Sequence, residues 1–111
     1  MDTNEPKLYA QYVTVLNDGG FVMSFALNRA DGAQAGATDY FPVLQSRTVD
    51  LATLRFGAEQ QPLQAEDEVR PAVSVVMGVD NIGPAMCYAP NGQHAVYKVS
   101  GTTLAYDIKR C

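Results

Sequence analysis

The end of the chain has the pattern of an antiparallel hairpin. The runs 94–99 and 102–109 are rich in β-branched and aromatic residues, and Ser100-Gly101 separates them. An Asn91-Gly92 pair precedes the first run. Short β-prone runs joined by turn-forming residues are typical of hairpins, so we predict two paired strands that turn at Ser100-Gly101.

The same alternation of apolar and polar residues recurs upstream. It predicts strands at 7–16, 21–28, 40–44, 47–51, 69–77 and 86–89, and a tight turn at 17–20. In the second strand, Phe21, Met23, Phe25 and Leu27 form one large apolar face. No long helix is predicted; Asp50 is expected to cap a single helical turn.

About seven or eight short strands, with a turn signal near every tenth residue, predict an all-β protein. The pattern favours an antiparallel β-sandwich, immunoglobulin-like in architecture, with a small β-barrel as the alternative. The length of 111 residues fits one domain. We expect a disordered N-terminal tip at 1–6 and a single sandwich domain over 7–111.

The charge pattern argues against two classes of partner. Twelve acidic and eight basic residues give a net charge of −4, and the basic residues are scattered singly except for Lys109-Arg110. Such a chain repels phosphate backbones, so nucleic acid and anionic membranes are disfavoured. No apolar run is long enough to span a membrane, and the start lacks the features of a secretory signal. We therefore expect a cytoplasmic protein or one exported by a signal-independent route.

Catalytic and metal-binding patterns are sparse. The single histidine, His94, opens a predicted strand and is expected to be solvated there. A small hydrolase is disfavoured because no nucleophile elbow accompanies it. One His and two distant cysteines give no zinc ligand set. Cys87 and Cys111 are expected to be a buried and a terminal thiol, with a disulfide bond between them as the alternative.

Two loops, 29–39 and 78–85, are the predicted binding segments because scaffold-held loops commonly carry function. We expect no cofactor; calcium is the weaker alternative, since loop carboxylates and carbonyls from both segments suit that ion. Tyr12, Tyr40 and Tyr88 are the aromatics expected at the surface. The candidate binding residues are Asp31, Asp39, Tyr40, Asp80, Asn81 and Tyr88.

Several strands also carry small apolar residues on their second face. These are Val22, Ala26, Ala72, Val76 and Val96. Scattered exposure explains them, since single apolar residues are common on surfaces. The alternative is a face covered by a loop, a partner or a twin subunit in a homodimer.

The order of short motifs at 17–25, 45–51, 79–85 and 101–104 resembles a group of small, mostly uncharacterised microbial β-sandwich proteins. The resemblance implies a single-domain sandwich and transfers no catalytic residue. Our first hypothesis is a non-enzymatic binding module that presents loops 29–39 and 78–85 to a protein or small ligand. The alternative is a small toxin-like or defence protein that assembles on membranes.

Overall fold

The computed structural model describes residues 8–111, so the tip expected at 1–6 lies outside the described residues. The described chain forms ten strands and one 3-10 turn, Leu51–Thr53. The strands are β1 (Tyr9–Ala10), β2 (Tyr12–Asn17), β3 (Met23–Arg29), β4 (Gln34–Ala35), β5 (Ser46–Asp50), β6 (Glu68–Val75), β7 (Asp80–Ile82), β8 (Met86–Tyr88), β9 (His94–Thr102) and β10 (Ala105–Arg110).

The strands form two sheets, which confirms the predicted all-β sandwich. The larger sheet has the order β1-β8-β6-β3-β4, with β7 also paired to β6, and the smaller sheet has the order β10-β9-β2-β5. The pairs β1–β8 and β2–β9 are parallel, so both sheets are mixed rather than purely antiparallel.

The parallel pairs arise because the chain changes sheets at Gln11. The amides of Gln11 and Tyr12 both donate to the carbonyl of Gln93 at 3.0 Å, and β1 and β2 leave this point into different sheets. The crossing shifts the phase of the alternation. Ala10 is buried and Tyr9 is exposed, whereas Val13 and Val15 are buried, so the strand predicted at 7–16 does not alternate without a break.

The core lies between the two sheets. The predicted apolar face of 21–28 is confirmed, since all four of its large side chains are buried. β2 and β9 contribute the facing layer, where every second residue is buried. The inward side chains include Met23, Phe25, Leu27, Val69, Val73, Val13, Val15, Ala95, Tyr97 and Val99.

Asp50 caps the 3-10 turn as predicted, and its side chain accepts a hydrogen bond from the amide of Ala52 at 2.9 Å.

The closing hairpin turns later than predicted. β9 continues through Ser100-Gly101, and the turn is Thr103-Leu104, because Thr102 pairs with Ala105. Gly101 has a φ of 132°, and a Cβ there would lie 2.7 Å from the Cα of Tyr106. This glycine therefore permits close approach within the ladder rather than marking the turn.

Three further boundaries differ from the predictions. The segments 29–39 and 78–85 are not loops throughout, since they contain β4 and β7. The segment 40–44 is not a strand and makes one isolated bridge, between Phe41 and Met23. β6 ends at Val75, so Met77 does not continue its buried face.

Candidate functional site

Four loops meet at one end of the sandwich. β2 and β9 are parallel and both finish there, and β5, antiparallel to β2, begins there. β3 begins at the same end, and β6, antiparallel to β3, finishes there. We call residues 18–22, 40–45, 76–79 and 103–104 the loop end.

Asn17, a fully buried polar residue, joins two of these loops. Its side-chain amide donates to the carbonyls of Phe21 at 2.8 Å and Phe41 at 3.1 Å. Its side-chain oxygen accepts from the amide of Gly19 at 3.0 Å, and its backbone carbonyl accepts from the amide of Leu44 at 2.6 Å. One short side chain thus satisfies the carbonyl of Phe21 and the amide of Gly19, which have no ladder partner, and adds a second hydrogen bond to the carbonyl of Phe41.

The remaining loops are also joined. The amide of Val79 donates to the carbonyl of Thr103 at 3.1 Å, and the amide of Val76 donates to the carbonyl of Val22 at 3.0 Å. The hydroxyl of Tyr106 donates to the carbonyl of Val79 at 2.7 Å. These hydrogen bonds connect loops of both sheets, so the loop end is one preorganised surface rather than four independent loops.

Three large apolar side chains protrude from this end. Met77 is 93% exposed, Leu44 is 75% exposed and Leu104 is 72% exposed. Leu44 and Met77 have φ values of 70° and 60°, a left-handed conformation uncommon for bulky side chains. Other exposed apolar side chains at this end are Val22, Tyr40, Val43, Val76 and Val79.

The loop end is also uncharged over most of its chain. Residues 19–28, 40–46, 71–79 and 99–106 contain no acidic, basic or histidine side chain. Leu44 precedes the edge strand β5 and Leu104 follows β9 into the opposite edge strand, β10. Three interstrand spacings separate these edges, about 14 Å. The apolar side chains are therefore spread across the width of the sheet.

Two ion pairs flank this apolar surface. The guanidinium of Arg47 binds the carboxylate of Asp39 through Nε at 2.9 Å and Nη2 at 3.2 Å. These hydrogen bonds lower the pKa of Asp39, which keeps it ionised. Nζ of Lys98 lies 3.9 Å from the carboxylate of Asp18.

The predicted acidic residues are not brought together. Asp31 pairs with Arg29 at 2.6 Å at the end opposite the loop end, and this partner lowers the pKa of Asp31 to about 2. Asp80 pairs with Ser74 of β6, whereas Arg29 pairs with Val69. Five residues of strand, about 17 Å, separate those positions. Across residues 8–111 no three His, Cys, Asp or Glu side chains are grouped as a metal site would need.

The other predicted site residues have separate environments. Asn81 pairs with Val73 on the edge of the larger sheet. Tyr40 is exposed as predicted, but Tyr88 is only 7% exposed because β8 lies against the core, so its predicted exposure is wrong. Tyr12 is half-buried and stacks on the exposed ring of His94, with 4.7 Å between ring centroids. Cys87 is buried and Cys111 is exposed.

The two predicted loops do meet at a cleft on the larger sheet. Its volume is about 350 Å³. Arg29 and Gly32 come from the first loop and Ile82 from the second, and Glu68 and Arg70 of β6 complete the wall. Asp80 and Asn81 do not line the cleft, so the loops converge through different residues from those predicted.

Sequence reasoning missed the loop end as a site. The alternation placed Leu44 and Leu104 in the predicted strands 40–44 and 102–109, so it gave no sign that they lie in turns; the one local signal is the glycine that follows Met77. The strand predicted at 69–77 included Met77, because the pattern itself does not reveal that β6 ends at Val75. Of the expected second-face cluster, Val22 and Val76 belong to this surface, whereas Ala26 is buried.

The fold and this surface define a mixed β-sandwich with an apolar loop end in which Asp18 is the one charged residue. Along residues 8–111 no helix has the length and apolar character needed to cross a bilayer. No protein-family model and no curated protein sequence matches the chain.

Solved structures do show a similar fold. Pneumolysin is 9% identical, with a TM-score of 0.50, over 90% of this chain and 23% of that chain. A non-hemolytic pneumolysin from Streptococcus pneumoniae strain ST306 is 8% identical, with the same TM-score and coverage. Intermedilysin, described as a human-specific toxin, is 15% identical, with a TM-score of 0.47, over 90% of this chain and 22% of that chain. This chain thus spans less than a quarter of these proteins, and the likeness is one of fold.

Proposed function

We propose that this protein is a non-enzymatic, toxin-like domain that docks on lipid membranes through the loop end. The observation that carries the proposal is the group of three protruding side chains, Leu44, Met77 and Leu104, on a surface whose one charged residue is Asp18. Moving one such side chain out of water contributes about 1.5–3 kcal/mol. Three of them together are sufficient for reversible interfacial binding, which scales with the apolar area buried.

Two other features support this function. The hydrogen bonds through Asn17 hold two loops before any membrane is met, so little ordering free energy is lost on docking. The fold is shared with a part of pneumolysin, which supports a toxin-like protein over an unrelated binding module.

The test is flotation of the protein with phosphatidylcholine vesicles. Wild type is expected to float with the vesicles, and the triple variant Leu44→Asn, Met77→Asn, Leu104→Asn is expected to remain below. Asparagine tolerates the left-handed backbone, so the variant should keep its fold. The control is Ile82→Asn, which removes an exposed apolar side chain away from the loop end. Equal losses in the control and the triple variant would contradict the proposal.

The interaction-module hypothesis keeps one specific observation in its favour, the 350 Å³ cleft that both predicted loops help to line. Nη1 of Arg70 makes only a long hydrogen bond there, 3.5 Å to the carbonyl of Gly83. Under this alternative the cleft binds a small carboxylate. Citrate should then raise the melting temperature of wild type and not that of Arg70→Gln; an equal rise in both proteins would count against it.

A further inference from the structure

We propose that the loop end selects electrically neutral, zwitterionic bilayers and is repelled by anionic ones. This inference rests on the proposed function and adds the class of membrane surface that the protein accepts. It follows from how the charged side chains around the loop end are paired.

Arg47 is the first cation beside the loop end, and its donors are already engaged. Nε and Nη2 bind Asp39, and Nη1 donates to the carbonyl of Ser46 at 2.9 Å and to Oε1 of Gln45 at 3.2 Å. Its guanidinium also lies 4.8 Å from the centre of the Phe41 ring. A lipid phosphate would have to displace this whole arrangement to bind Arg47.

Lys98 is the second cation, and it is compensated by Asp18 at 3.9 Å. Lys109 pairs across the ladder with Lys98, so it is the third cation at this level of the sandwich. Four residues of strand, about 13 Å, separate Lys109 from Ala105 at the hairpin turn. Lys98 and Lys109 are therefore equally set back from this turn, and Arg47, which is level with Tyr97, lies one residue further back along the ladder.

Carboxylates outnumber these cations at the same level. Asp80 follows directly after the apolar segment that ends at Val79, and Asp107 pairs with Ser100, nearer to the turn than Lys109. Together with Asp18 and Asp39 they make four carboxylates against these three cations. The fourth cation, Arg110, is level with Arg47, but its Nη1 donates to the carbonyl of Ala85 at 2.8 Å. The whole chain carries a net charge of −4, so the long-range potential has the same sign.

The lipid chemistry follows from this balance. A protein is attracted to anionic lipid through basic side chains that lie near the membrane surface and are free to contact lipid phosphates. Here two of the three cations, Arg47 and Lys98, are paired with carboxylates, and the surplus charge is negative. A zwitterionic headgroup meets the apolar side chains without that repulsion, so binding to it is expected to be insensitive to salt.

The experiment compares flotation with phosphatidylcholine vesicles and with vesicles that also contain one third phosphatidylserine, at low and at high salt. Wild type is expected to bind the neutral vesicles at least about fivefold more tightly at low salt, and the difference should shrink at high salt. Asp18→Asn and Asp39→Asn release Lys98 and Arg47, so each is expected to gain about fivefold in binding to the anionic vesicles.

Glu59→Gln is the matched control, because it changes the net charge equally in a connection remote from the loop end. Its binding to anionic vesicles should stay close to that of wild type. Wild type that binds anionic vesicles as well as neutral ones would overturn the selectivity and leave the proposed function standing. Wild type that binds neither kind would overturn both. A gain in Glu59→Gln equal to the gains in the two Asp variants would overturn the role of the ion pairs.

Discussion

Asn17 shows how a single residue organises a functional surface. Its side chain makes three hydrogen bonds to the backbone of the turning loops while it lies where the next apolar residue of β2 would fall. The sequence predicted a turn at 17–20 but gave this asparagine no structural role, because its partners at 41 and 44 lie far away in the chain.

Asn17→Ala should destabilise the fold by about 2–4 kcal/mol, since it leaves the carbonyl of Phe21 and the amide of Gly19 without their partner and removes one of the two hydrogen bonds to the carbonyl of Phe41. Urea unfolding measures the loss. Asn28→Ala is the control, because Asn28 is only half-buried and its side chain accepts one bond, from Gln34. Its cost should be below about 1 kcal/mol, and an equal cost in the two variants would contradict the role of Asn17.

Met77 makes the loop end sensitive to oxidation. It is 93% exposed, whereas Met23 and Met86 are buried. Hydrogen peroxide should convert Met77 to the polar sulfoxide first and reduce vesicle binding. Mass spectrometry of the oxidised peptide locates the change, and Met77→Leu should keep its binding after the same treatment. Loss of binding in that variant would assign the effect to another residue.

At the scale of elements, the alternation of apolar and polar residues predicted the strands that bury one face. It did not predict the two short strands in which no side chain is buried. β3, β6 and β9 bury alternate large apolar side chains against the core, although Ala26 of β3 is buried as well, and were predicted within a few residues. β4 and β7 are two and three residues long at sheet edges, with exposed or half-buried side chains. Such strands leave no periodic signal, because only the pairing of backbone groups defines them.

The β9–β10 hairpin depends on Gly101. Ala at this position would place its Cβ 2.5 Å from the carbonyl oxygen of Ala105 in a backbone conformation with φ of 132°. We expect Gly101→Ala to destabilise the protein by at least about 1–3 kcal/mol in chemical denaturation. Gly20→Ala should stay within about 1 kcal/mol of wild type, because a Cβ there meets open space. Equal stability of the two variants would contradict this close approach.

At the scale of the whole molecule, the candidate site is a product of topology. The loops at 18–22 and 103–104 belong to distant parts of the chain and meet only because β2 and β9 run parallel. The sequence predicted that loops carry the function and named two of them. It did not reveal which loops share an end, since that depends on sheet order and strand direction.

The free energy of unfolding of the whole protein should fall at alkaline pH. Burial raises the pKa of Tyr97 to about 12, and its hydroxyl donates to the carbonyl of Pro84 at 2.8 Å. The protonated form is the one that the fold favours, so this stability is fully present below the unfolded pKa of about 10 and is lost as the pH rises towards 12. Tyr97→Phe should unfold less steeply over that window in a pH titration followed by circular dichroism, and an unchanged profile would contradict the assignment.

The parallel pairing of β2 with β9 has a consequence for how the chain folds during its synthesis. Tyr12 lies opposite His94, so β2 gains its second neighbour only after 82 further residues have been synthesised. Until then one edge of β2 remains open, and the apolar face of β3 has no complete opposing sheet. Contacts of such separation slow folding relative to helical proteins of similar size. The sandwich is therefore expected to close after translation of its last strands, and chaperones that shield apolar strands would act during that interval.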